Sequence, residues 1–458
     1  MKNLMPALLV LSLAASAYGQ RVFSALEEPV FSSPKDSIRY SEINRAMRDA
    51  MEQRSTFPDS LMDEFRSIRN RITGFRRHYK SSPGFITLDS LAKIQDKSQV
   101  KLLSITNWKS RRMPGEVYAC THLQELELVN TRISHVKGLK KFSSLTGLYL
   151  LNNKPKGRLA LSKSRTIRSV AMRGNALSLP RSFAPVQALE RLDLAASGLT
   201  AFPKGLTRNK GLKELILTNN AIADLGNLPG LPALEKLELI RNKIESIPES
   251  ISNLVNLKQL TLNYNSVKSV HPAIGKLTRL EQLSLYNNKL TAIPDGLYNL
   301  PALREIDLYH NEIERVDDRI ANLKNLEILY LSHNRLISIP ASIGSLSKLN
   351  ELYLSNNRLV ELPATISQLQ NLKVMRVNHN RLINSLQSLA SFAQLENLDI
   401  SENQLSELPA GLDGLPALKI LVMVNNPWDE SSRKQIPAVI RSLRSKAVVV
   451  HVNGELED

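Results

Sequence analysis

Cysteine and glycosylation signals are almost absent from this sequence. Cys120 is the only cysteine in 458 residues, which excludes an intramolecular disulfide. Despite its many asparagines, the chain contains no Asn-x-Ser/Thr acceptor for N-linked glycans. We therefore expect no disulfide scaffold and no N-linked glycan, and we predict that Cys120 is a small core residue.

Signatures of catalysis and of membrane insertion are missing as well. The sequence has no His-Glu-x-x-His zinc motif, no Gly-x-x-x-x-Gly-Lys phosphate loop, no Gly-x-Ser-x-Gly nucleophile turn and no cysteine pair. Beyond the N-terminus, no apolar run reaches the length of a membrane span. We therefore expect no enzymatic activity, no cofactor, no metal site and no transmembrane segment.

The first 19 residues have the pattern of a secretory signal. Lys2 precedes the apolar run Leu8–Leu13, and small residues follow at 14–17. Cleavage after Ala17 or Gly19 fits that pattern, and a buried helix is the alternative. The N-terminus therefore predicts export.

A repeat of 22 or 23 residues fills most of the chain between Val100 and Asn426. Its clearest copy, residues 326–340, reads Leu-x-x-Leu-x-Leu-x-x-Asn-x-Leu-x-x-Ile-Pro. A fixed period of this length predicts a solenoid, in which each unit buries its apolar edge against its neighbours. The fifteen units open at Val100, Leu123, Leu145, Ile167, Leu189, Leu212, Leu234, Leu257, Leu280, Leu303, Leu326, Leu349, Leu372, Leu395 and Leu418.

The residue types within one unit predict its local geometry. Leu329 and Leu331 alternate with Tyr330, as in a short strand with one buried face, so stacked units would form a parallel sheet. The asparagine follows where the chain leaves the strand, and its amide can pair with buried backbone groups. The Leu-Pro or Ile-Pro pairs then open the outer segment, because proline starts a helical turn without wasting a backbone donor. The asparagines expected to stack into one ladder are Asn220, Asn242, Asn265, Asn288, Asn311, Asn334, Asn357, Asn380 and Asn403.

This pattern resembles the leucine-rich repeat family, specifically the 23-residue type with an outer Leu-Pro-x-x-Ile segment found in Scribble-type and Ras-associated scaffolds and in many bacterial proteins. The resemblance covers about three-quarters of the chain. It implies an α/β solenoid, a horseshoe whose concave parallel sheet binds partners. Extracellular members from eukaryotes usually carry cysteine-rich caps, so the lone cysteine and the absent glycan acceptors favour a bacterial exported protein, periplasmic or secreted.

Four segments follow from these patterns. We predict a signal peptide at 1–19, a leader and N-terminal helical cap at 20–97, leucine-rich repeats at 98–426, and a C-terminal cap at 427–458. In the N-terminal cap, apolar spacing predicts helices at 43–51 and at Ser60–Phe75. In the C-terminal cap, a helix from about Glu430 to Leu443 and a strand at 447–452 would cover the last repeat.

The concave positions of the repeats carry the candidate binding site. Tyrosines fall there on neighbouring strands, which lie about 4.8 Å apart, so we expect Tyr286, Tyr309, Tyr330 and Tyr353 to form one diagonal aromatic band. Exposed aromatics are typical of interfaces, and the alternative is that these rings only stack on one another and cover the sheet. The predicted partner-binding residues are Tyr264, Tyr286, Tyr309, Tyr330, Tyr353, Arg376, His310, His333 and His379.

Two of these residues also raise the question of a metal. His310 and His333 fall on adjacent strands, but the pattern supplies no third ligand beside them. We therefore expect them to form part of a polar rim, where imidazole could make a contact sensitive to pH.

A basic window occupies residues 128–189. It contains twelve lysines and arginines and no acidic residue, in a chain of net charge +17. Such a field attracts anions, but few aromatic residues are present to stack on bases, so a lipid headgroup, lipopolysaccharide or acidic glycan is favoured over nucleic acid. The alternative is a solvated surface without a ligand. The predicted anion-binding residues are Lys154, Lys156, Arg158, Lys163, Arg165, Arg168 and Arg173.

Together these features predict a non-catalytic, exported module that binds a macromolecule, in the first place a protein, through its concave face. The alternative function is an anion-binding envelope protein that acts through the window 128–189. Salt separates the two, because screening weakens a basic patch more than it weakens aromatic contacts.

Overall fold

One parallel β-sheet of 17 strands dominates the computed structural model, which describes residues 26–31, 72–78, 84–153, 159–175, 180, 182–383 and 391–456. Each strand pairs with the next one along the chain, so the sheet grows by one strand per repeat and the predicted solenoid is confirmed. The strands are Ile86–Thr87, Leu102–Thr106, Glu125–Val129, Gly147–Leu151, Ser169–Ala171, Arg191–Asp193, Glu214–Ile216, Lys236–Glu238, Gln259–Thr261, Gln282–Ser284, Glu305–Asp307, Ile328–Tyr330, Glu351–Tyr353, Val374–Arg376, Asn397–Asp399, Ile420–Val422 and Val449–His451.

The strands are in phase, so equivalent residues of neighbouring repeats lie side by side. Leu329 is paired with Leu352 on one side and with Ile306 on the other. Leu329 and Leu331 are 0% and 1% exposed, and the other repeats bury the same positions. Burying a leucine side chain contributes about 1.5–3 kcal/mol, so the repeated leucines supply the main stabilisation of the solenoid.

The asparagine ladder predicted from the sequence is confirmed. The side-chain amide of Asn334 donates to the carbonyls of Leu331 in its own repeat and Leu308 in the preceding repeat, at 3.0 and 2.9 Å. Its side-chain oxygen accepts from the backbone N–H of Ile313, also in the preceding repeat, at 3.0 Å. Each asparagine therefore joins two coils through buried backbone groups. At the same position, the Ser197 hydroxyl replaces the amide and donates to the Met172 carbonyl of the preceding repeat, whereas the Thr131 hydroxyl donates to the side-chain oxygen of Asn153 in the following repeat.

Short 3-10 helices form much of the outer side of the solenoid. Prolines stand directly before five of them, Pro114, Pro248, Pro294, Pro340 and Pro363, which confirms that proline opens the outer segment. Two pairs of short outer strands accompany them, His135–Val136 with Ala160–Leu161 and Ser246–Ile247 with Ser269–Val270. The 3-10 helices are Lys97–Gln99, Gly115–Ala119, Leu139–Lys141, Glu249–Asn253, Pro272–Lys276, Asp295–Asn299, Asp318–Asn322, Ala341–Ser345, Ala364–Gln368, Leu412–Gly414 and Gly454–Leu456.

The C-terminal end has the predicted helix and strand. The helix Glu430–Ser445 begins after Asp429, whose carboxylate accepts from the backbone N–H of Ser432. Its face carrying Ile436 and Ile440 is buried, and the strand Val449–His451 adds to the edge of the sheet beside Ile420–Val422. Helix and strand together cover the last repeat.

The N-terminal part differs from the prediction in two places. The end of the helix expected at Ser60–Phe75 is wrong, because Ile72–His78 forms a strand antiparallel to Leu26–Phe31. The β-branched Ile72 and Thr73, followed by Gly74, are weak helix formers, which accounts for the difference. The signal at 1–19 and the helix at 43–51 lie outside the described residues.

The second difference is at the start of the sheet. Ile86–Thr87 pairs in parallel with the strand Leu102–Thr106, one coil before the first leucine-rich unit recognised in the sequence. The short helix Leu88–Leu91 follows, with Thr87 as its N-cap. The predicted domain limits stay a prediction. In the described part of the chain, no helix is both long and apolar enough to cross a membrane.

Candidate functional site

The concave side of the sheet carries a continuous set of partly exposed aromatic residues. In the strand Ile328–Tyr330 the central Leu329 points into the core, so its two neighbours point to the opposite, concave face. Tyr330 and Tyr353 are paired across neighbouring strands. We call the set Tyr264, Tyr286, Tyr309, Tyr330 and Tyr353 with His310 and His333 the concave aromatic surface.

Ring contacts join five of these residues into a first group. Tyr264 meets Tyr286 edge to face at 4.9 Å between ring centroids, and their hydroxyls are 3.3 Å apart. Tyr286 lies 5.2 Å from Tyr309, and Tyr309 lies 4.8 Å from His333. His310 and His333 stack at 4.8 Å with 16° between their planes. These side chains therefore fix one another in a single packed layer on the sheet.

Tyr330 and Tyr353 form a second group. Their rings stack at 4.6 Å with 18° between planes, and the Tyr353 hydroxyl donates to a carboxylate oxygen of Glu351 at 2.7 Å. The guanidinium carbon of Arg376 stands 5.8 Å from the Tyr353 ring centre. The sequence predicted one diagonal band. The structure arranges it as two groups, because Tyr286 and Tyr309 occupy a repeat position two residues further along than Tyr330 and Tyr353.

Three tyrosine hydroxyls of these groups, those of Tyr286, Tyr330 and Tyr353, stay protonated at neutral pH. Burial raises the pKa of Tyr286, Tyr330 and Tyr353 above the ordinary value of a phenol, and the Glu351 carboxylate adds to the effect at Tyr353. At neutral pH these three residues therefore present phenol groups that donate and accept hydrogen bonds, and no phenolate charge.

Three carboxylates lie beside the tyrosines, and none of them was among the predicted site residues. Asp307 accepts from the Ser284 hydroxyl at 2.8 Å and from the Tyr309 backbone N–H at 3.1 Å. Burial raises the pKa of Asp307 to about 6. Burial and the charge of Glu351 also raise the pKa of Glu305. Asp307 occupies the repeat position of Tyr330, and Glu305 and Glu351 stand two residues earlier in their repeats, on the same face of the sheet, so the register could have identified them.

One repeat position has a backbone constraint that the sequence did not reveal. Tyr264, His310, His333 and His379 all have φ between 55° and 58°, and Asn287 and Asn356 occupy the same position in other repeats. This left-handed conformation is most favourable for glycine and asparagine. The left-handed turn therefore explains why asparagine occurs at this repeat position. A tyrosine such as Tyr264 is less favourable there for the backbone, but its ring makes contacts with neighbouring aromatic side chains. His379 is exposed and its ring lies 3.0 Å from the Asn378 amide nitrogen.

The histidine pair does not form part of a larger ligand set in the described residues. No three His, Cys, Asp or Glu side chains come together there in a way that could hold a metal ion. Burial lowers the pKa of His310, so its imidazole is neutral near pH 7.

A different part of the concave face carries a network of ion pairs. Arg173 and Asp193 are 2.6 Å apart, Arg191 and Glu214 are 2.7 Å apart, and a 3.6 Å contact joins Arg191 to Asp193. Lys236 extends the network to Glu238 at 2.7 Å and to Glu214 at 3.4 Å. Burial opposes protonation of Lys236, yet these two carboxylates raise its pKa. Charges in this network neutralise one another within the chain.

The predicted anion-binding residues are distributed unevenly. Lys163 and Arg165 are exposed. Arg168 pairs with Glu190, and Arg173 pairs with the fully buried Asp193. The acidic residues just beyond the window therefore offset two of the predicted cations. Lys154, Lys156 and Arg158 lie outside the described residues.

Comparison with protein families identifies the repeats. A model described as a leucine-rich repeat region matches residues 316–456, and a leucine rich repeat model matches 210–267, 256–313 and 278–336. Together they cover more than half of the chain. The chain belongs to the leucine-rich-repeat family. No curated protein matches it. The finer assignment to the 23-residue Scribble-type class stays a prediction.

Solved leucine-rich-repeat structures share the fold. A leucine-rich-repeat protein of Leptospira interrogans has a TM-score of 0.63 at 25% identity, over 80% of this chain and 99% of that chain. A chain of the Toll–Spatzle complex of Drosophila has a TM-score of 0.64 at 24% identity, over 73% and 48%. The complex of Latrophilin 3, Unc5D and FLRT2, in which FLRT2 carries the leucine-rich repeat, gives 0.50 at 26%, over 65% and 87%.

Proposed function

We propose that this leucine-rich-repeat chain is an exported, non-catalytic protein that binds another protein through the concave aromatic surface. The observation that carries the proposal is the two groups of stacked, partly exposed rings on a sheet face that core packing does not use. Tyrosine supplies a large contact area at low entropic cost, and aromatic side chains dominate the energetics of interfaces.

The fold and its relatives support this function. A repeated sheet presents an extended curved face rather than a closed cavity that excludes water, which suits macromolecular recognition better than catalysis. FLRT2, with a leucine-rich repeat, occurs in a complex with Latrophilin 3 and Unc5D. Export to the periplasm or beyond, by a bacterium, is proposed from the signal pattern at 1–19 and from the near absence of cysteine.

The test is affinity capture from a native envelope extract with wild type and with a double variant, Tyr330→Ala with Tyr353→Ala. We expect wild type to capture a specific partner. The double variant should capture at least tenfold less of it, because both stacked tyrosine rings have been removed. Quantitative mass spectrometry of the eluates measures the loss. Equal capture by the two proteins would place the site elsewhere.

A matched control comes from the same two repeats. Ile337 is 62% exposed and Val360 is 43% exposed, both at the position three residues after the ladder asparagine. Ile337→Ala with Val360→Ala removes apolar surface from these repeats without touching the concave face. Capture should survive this change, and its loss would point to the exposed apolar positions instead.

The basic window gives the second candidate, an anionic lipid or glycan. Lys163 and Arg165 are exposed, as are Lys137, Lys140 and Lys141, which favours this alternative despite the pairing of Arg168 and Arg173. The same capture in about 0.5 M salt separates the candidates, because the Debye length falls to roughly 4 Å. A partner held by aromatic contacts remains bound, and a ligand held by the window is released.

A further inference from the structure

Carboxylates surround Tyr330 at the middle of the concave aromatic surface. Asp307 lies next to Tyr330 in the paired register, and Glu305 and Glu351 stand on the strands to either side. All three negative charges act on the Tyr330 hydroxyl and raise its pKa, in addition to the effect of burial. A protein of net charge +17 thus has an acidic centre in its candidate binding face.

These carboxylates differ from those of the ion-pair network on the same face. Among the described residues, no lysine, arginine or histidine forms an ion pair with Glu305, Asp307 or Glu351. In the neighbouring network, by contrast, Asp193, Glu214 and Glu238 occupy the same strand positions and are all paired with Arg173, Arg191 or Lys236. Lys236, for example, contacts Glu214 on the neighbouring strand and Glu238 on its own strand, so this sheet face can hold a cation between two carboxylates.

The aromatic groups also accept cations at their edges. The Arg376 guanidinium lies over Tyr353 at 5.8 Å, and the Arg241 guanidinium lies over Tyr264 at 5.2 Å. A guanidinium on a tyrosine face is favourable, and more so when water is excluded. The chain supplies such cations at the two ends of the surface. The Arg376 charge also reaches the Tyr330 hydroxyl and partly offsets the carboxylates there, but among the described residues no cation forms an ion pair with the acidic centre itself.

We propose that the acidic centre formed by Glu305, Asp307 and Glu351 around Tyr330 binds an arginine or lysine side chain of an extended, basic segment of the partner protein. This inference rests on the proposed function and specifies the partner's chemistry at that site. Arginine should be preferred, because its planar group pairs with carboxylates in two hydrogen bonds and stacks on aromatic rings. Elsewhere the positive chain repels such a segment, so the acidic centre also orients it.

The experiment selects peptides from a displayed library of random 12-residue peptides on the full-length protein. Wild type is compared with a triple variant, Glu305→Gln, Asp307→Asn and Glu351→Gln, which keeps the size of each side chain and removes its charge. We expect arginine and lysine together to be at least about threefold more frequent in the peptides selected by wild type than in the peptides selected by the triple variant. A surface that binds only through the net positive charge would enrich acidic peptides instead.

A second triple variant controls for the change in total charge. Glu249, Glu314 and Glu361 are exposed and lie outside the concave strands, so their replacement by glutamine changes the net charge equally. This control should select the same basic peptides as wild type. Circular dichroism and thermal melting check that all variants fold.

The outcomes separate this inference from the proposed function. If wild type shows no enrichment of arginine or lysine, or if the acidic-centre variant retains it, the basic-segment inference is overturned. If native capture still depends on Tyr330 and Tyr353 in that case, the protein-binding surface stands with a partner of other chemistry. If capture is independent of both tyrosines, the proposed function itself fails.

Discussion

At the residue scale, the carboxyl group of Asp307 has a raised pKa because of its surroundings on the concave face. The Ser284 hydroxyl lies 2.5 Å from the Asn263 side-chain oxygen and 2.8 Å from the Asp307 carboxylate. Because one hydroxyl proton serves one acceptor at a time, a proton on Asp307 would satisfy both contacts. Burial acts in the same direction and raises the pKa of Asp307 to about 6. The carboxylate is therefore a destabilising group at neutral pH.

The first residue-scale prediction is that Asp307→Asn stabilises the protein at pH 7.5, by about 1–3 kcal/mol. The amide can donate to Ser284 and accept from the Tyr309 N–H, without a buried charge. Since the folded-state pKa lies above the ordinary value of 3.8, the folded state binds the proton more tightly, and the gain should disappear as pH falls from 6 to below 4. Urea denaturation across that pH range measures it.

Asp317→Asn is the control, because the pKa of Asp317 is shifted in the opposite direction to that of Asp307. Hydrogen bonds from Arg319 hold the pKa of Asp317 at about 2, so its carboxylate favours the folded state at neutral pH. This substitution should give no gain at pH 7.5. A stabilisation of equal size by both substitutions would mean that net charge, and not burial of Asp307, is responsible.

At the scale of one structural element, the ladder asparagine acts as a connector between coils. Asn334 contacts four backbone groups, three carbonyls and one N–H, and two of these belong to the preceding repeat. The remaining interactions between two coils are the strand hydrogen bonds and the leucine contacts. The ladder therefore stabilises the turn at which the chain leaves the sheet.

We predict that Asn334→Leu destabilises the protein by on the order of 2–4 kcal/mol, because the apolar side chain leaves the Ile313 N–H and the Leu308 carbonyl without their side-chain partner. Hydrogen–deuterium exchange should show the largest loss of protection in the two repeats opening at Leu303 and Leu326. The exposed Asn371 donates a single bond to the Ser347 carbonyl, so Asn371→Ala should have a much smaller effect. Equal effects would contradict the proposed role of the ladder.

At the scale of the whole molecule, stability is transmitted from repeat to repeat. Each strand pairs only with its sequence neighbours in the sheet, so each coil is stabilised mainly by the coils beside it. The last coil depends on the C-terminal helix, where Ile436 and Ile440 are 0% and 1% exposed. Loss of this cap should affect the nearest repeats first.

The corresponding prediction concerns Ile436→Asp, which places an uncompensated charge in the buried face of the helix Glu430–Ser445. Exchange protection should fall in the strands Asn397–Asp399 and Ile420–Val422, while the strand Glu125–Val129 keeps its protection. Ala438→Asp adds the same charge on the exposed face of the same helix and is the control. A uniform loss along the sheet would show that the solenoid unfolds as one unit.

The repeated pattern by itself determined the solenoid, the parallel strands, the asparagine ladder and the outer prolines. These features depend on alternation and turn chemistry within a few residues, and those are visible in any single unit. The C-terminal helix and strand were predictable for the same reason. The positions of the five tyrosines on the concave strands also follow from the repeat, although their role in binding stays a prediction.

Only the tertiary structure decided how the side chains of the concave face combine. Residues 22 or 23 apart become neighbours there, and whether Arg191 meets Glu214 or Tyr330 stacks on Tyr353 depends on side-chain directions that the repeat does not encode. For this reason the tertiary structure decided that Arg168 and Arg173 pair with acidic neighbours and that Glu305, Asp307 and Glu351 form no ion pair in the described residues. The division of the aromatic band into two groups follows instead from the repeat positions of its tyrosines. The extra strand Ile86–Thr87 also depends on pairing with a neighbour, because its own sequence has no leucine pattern.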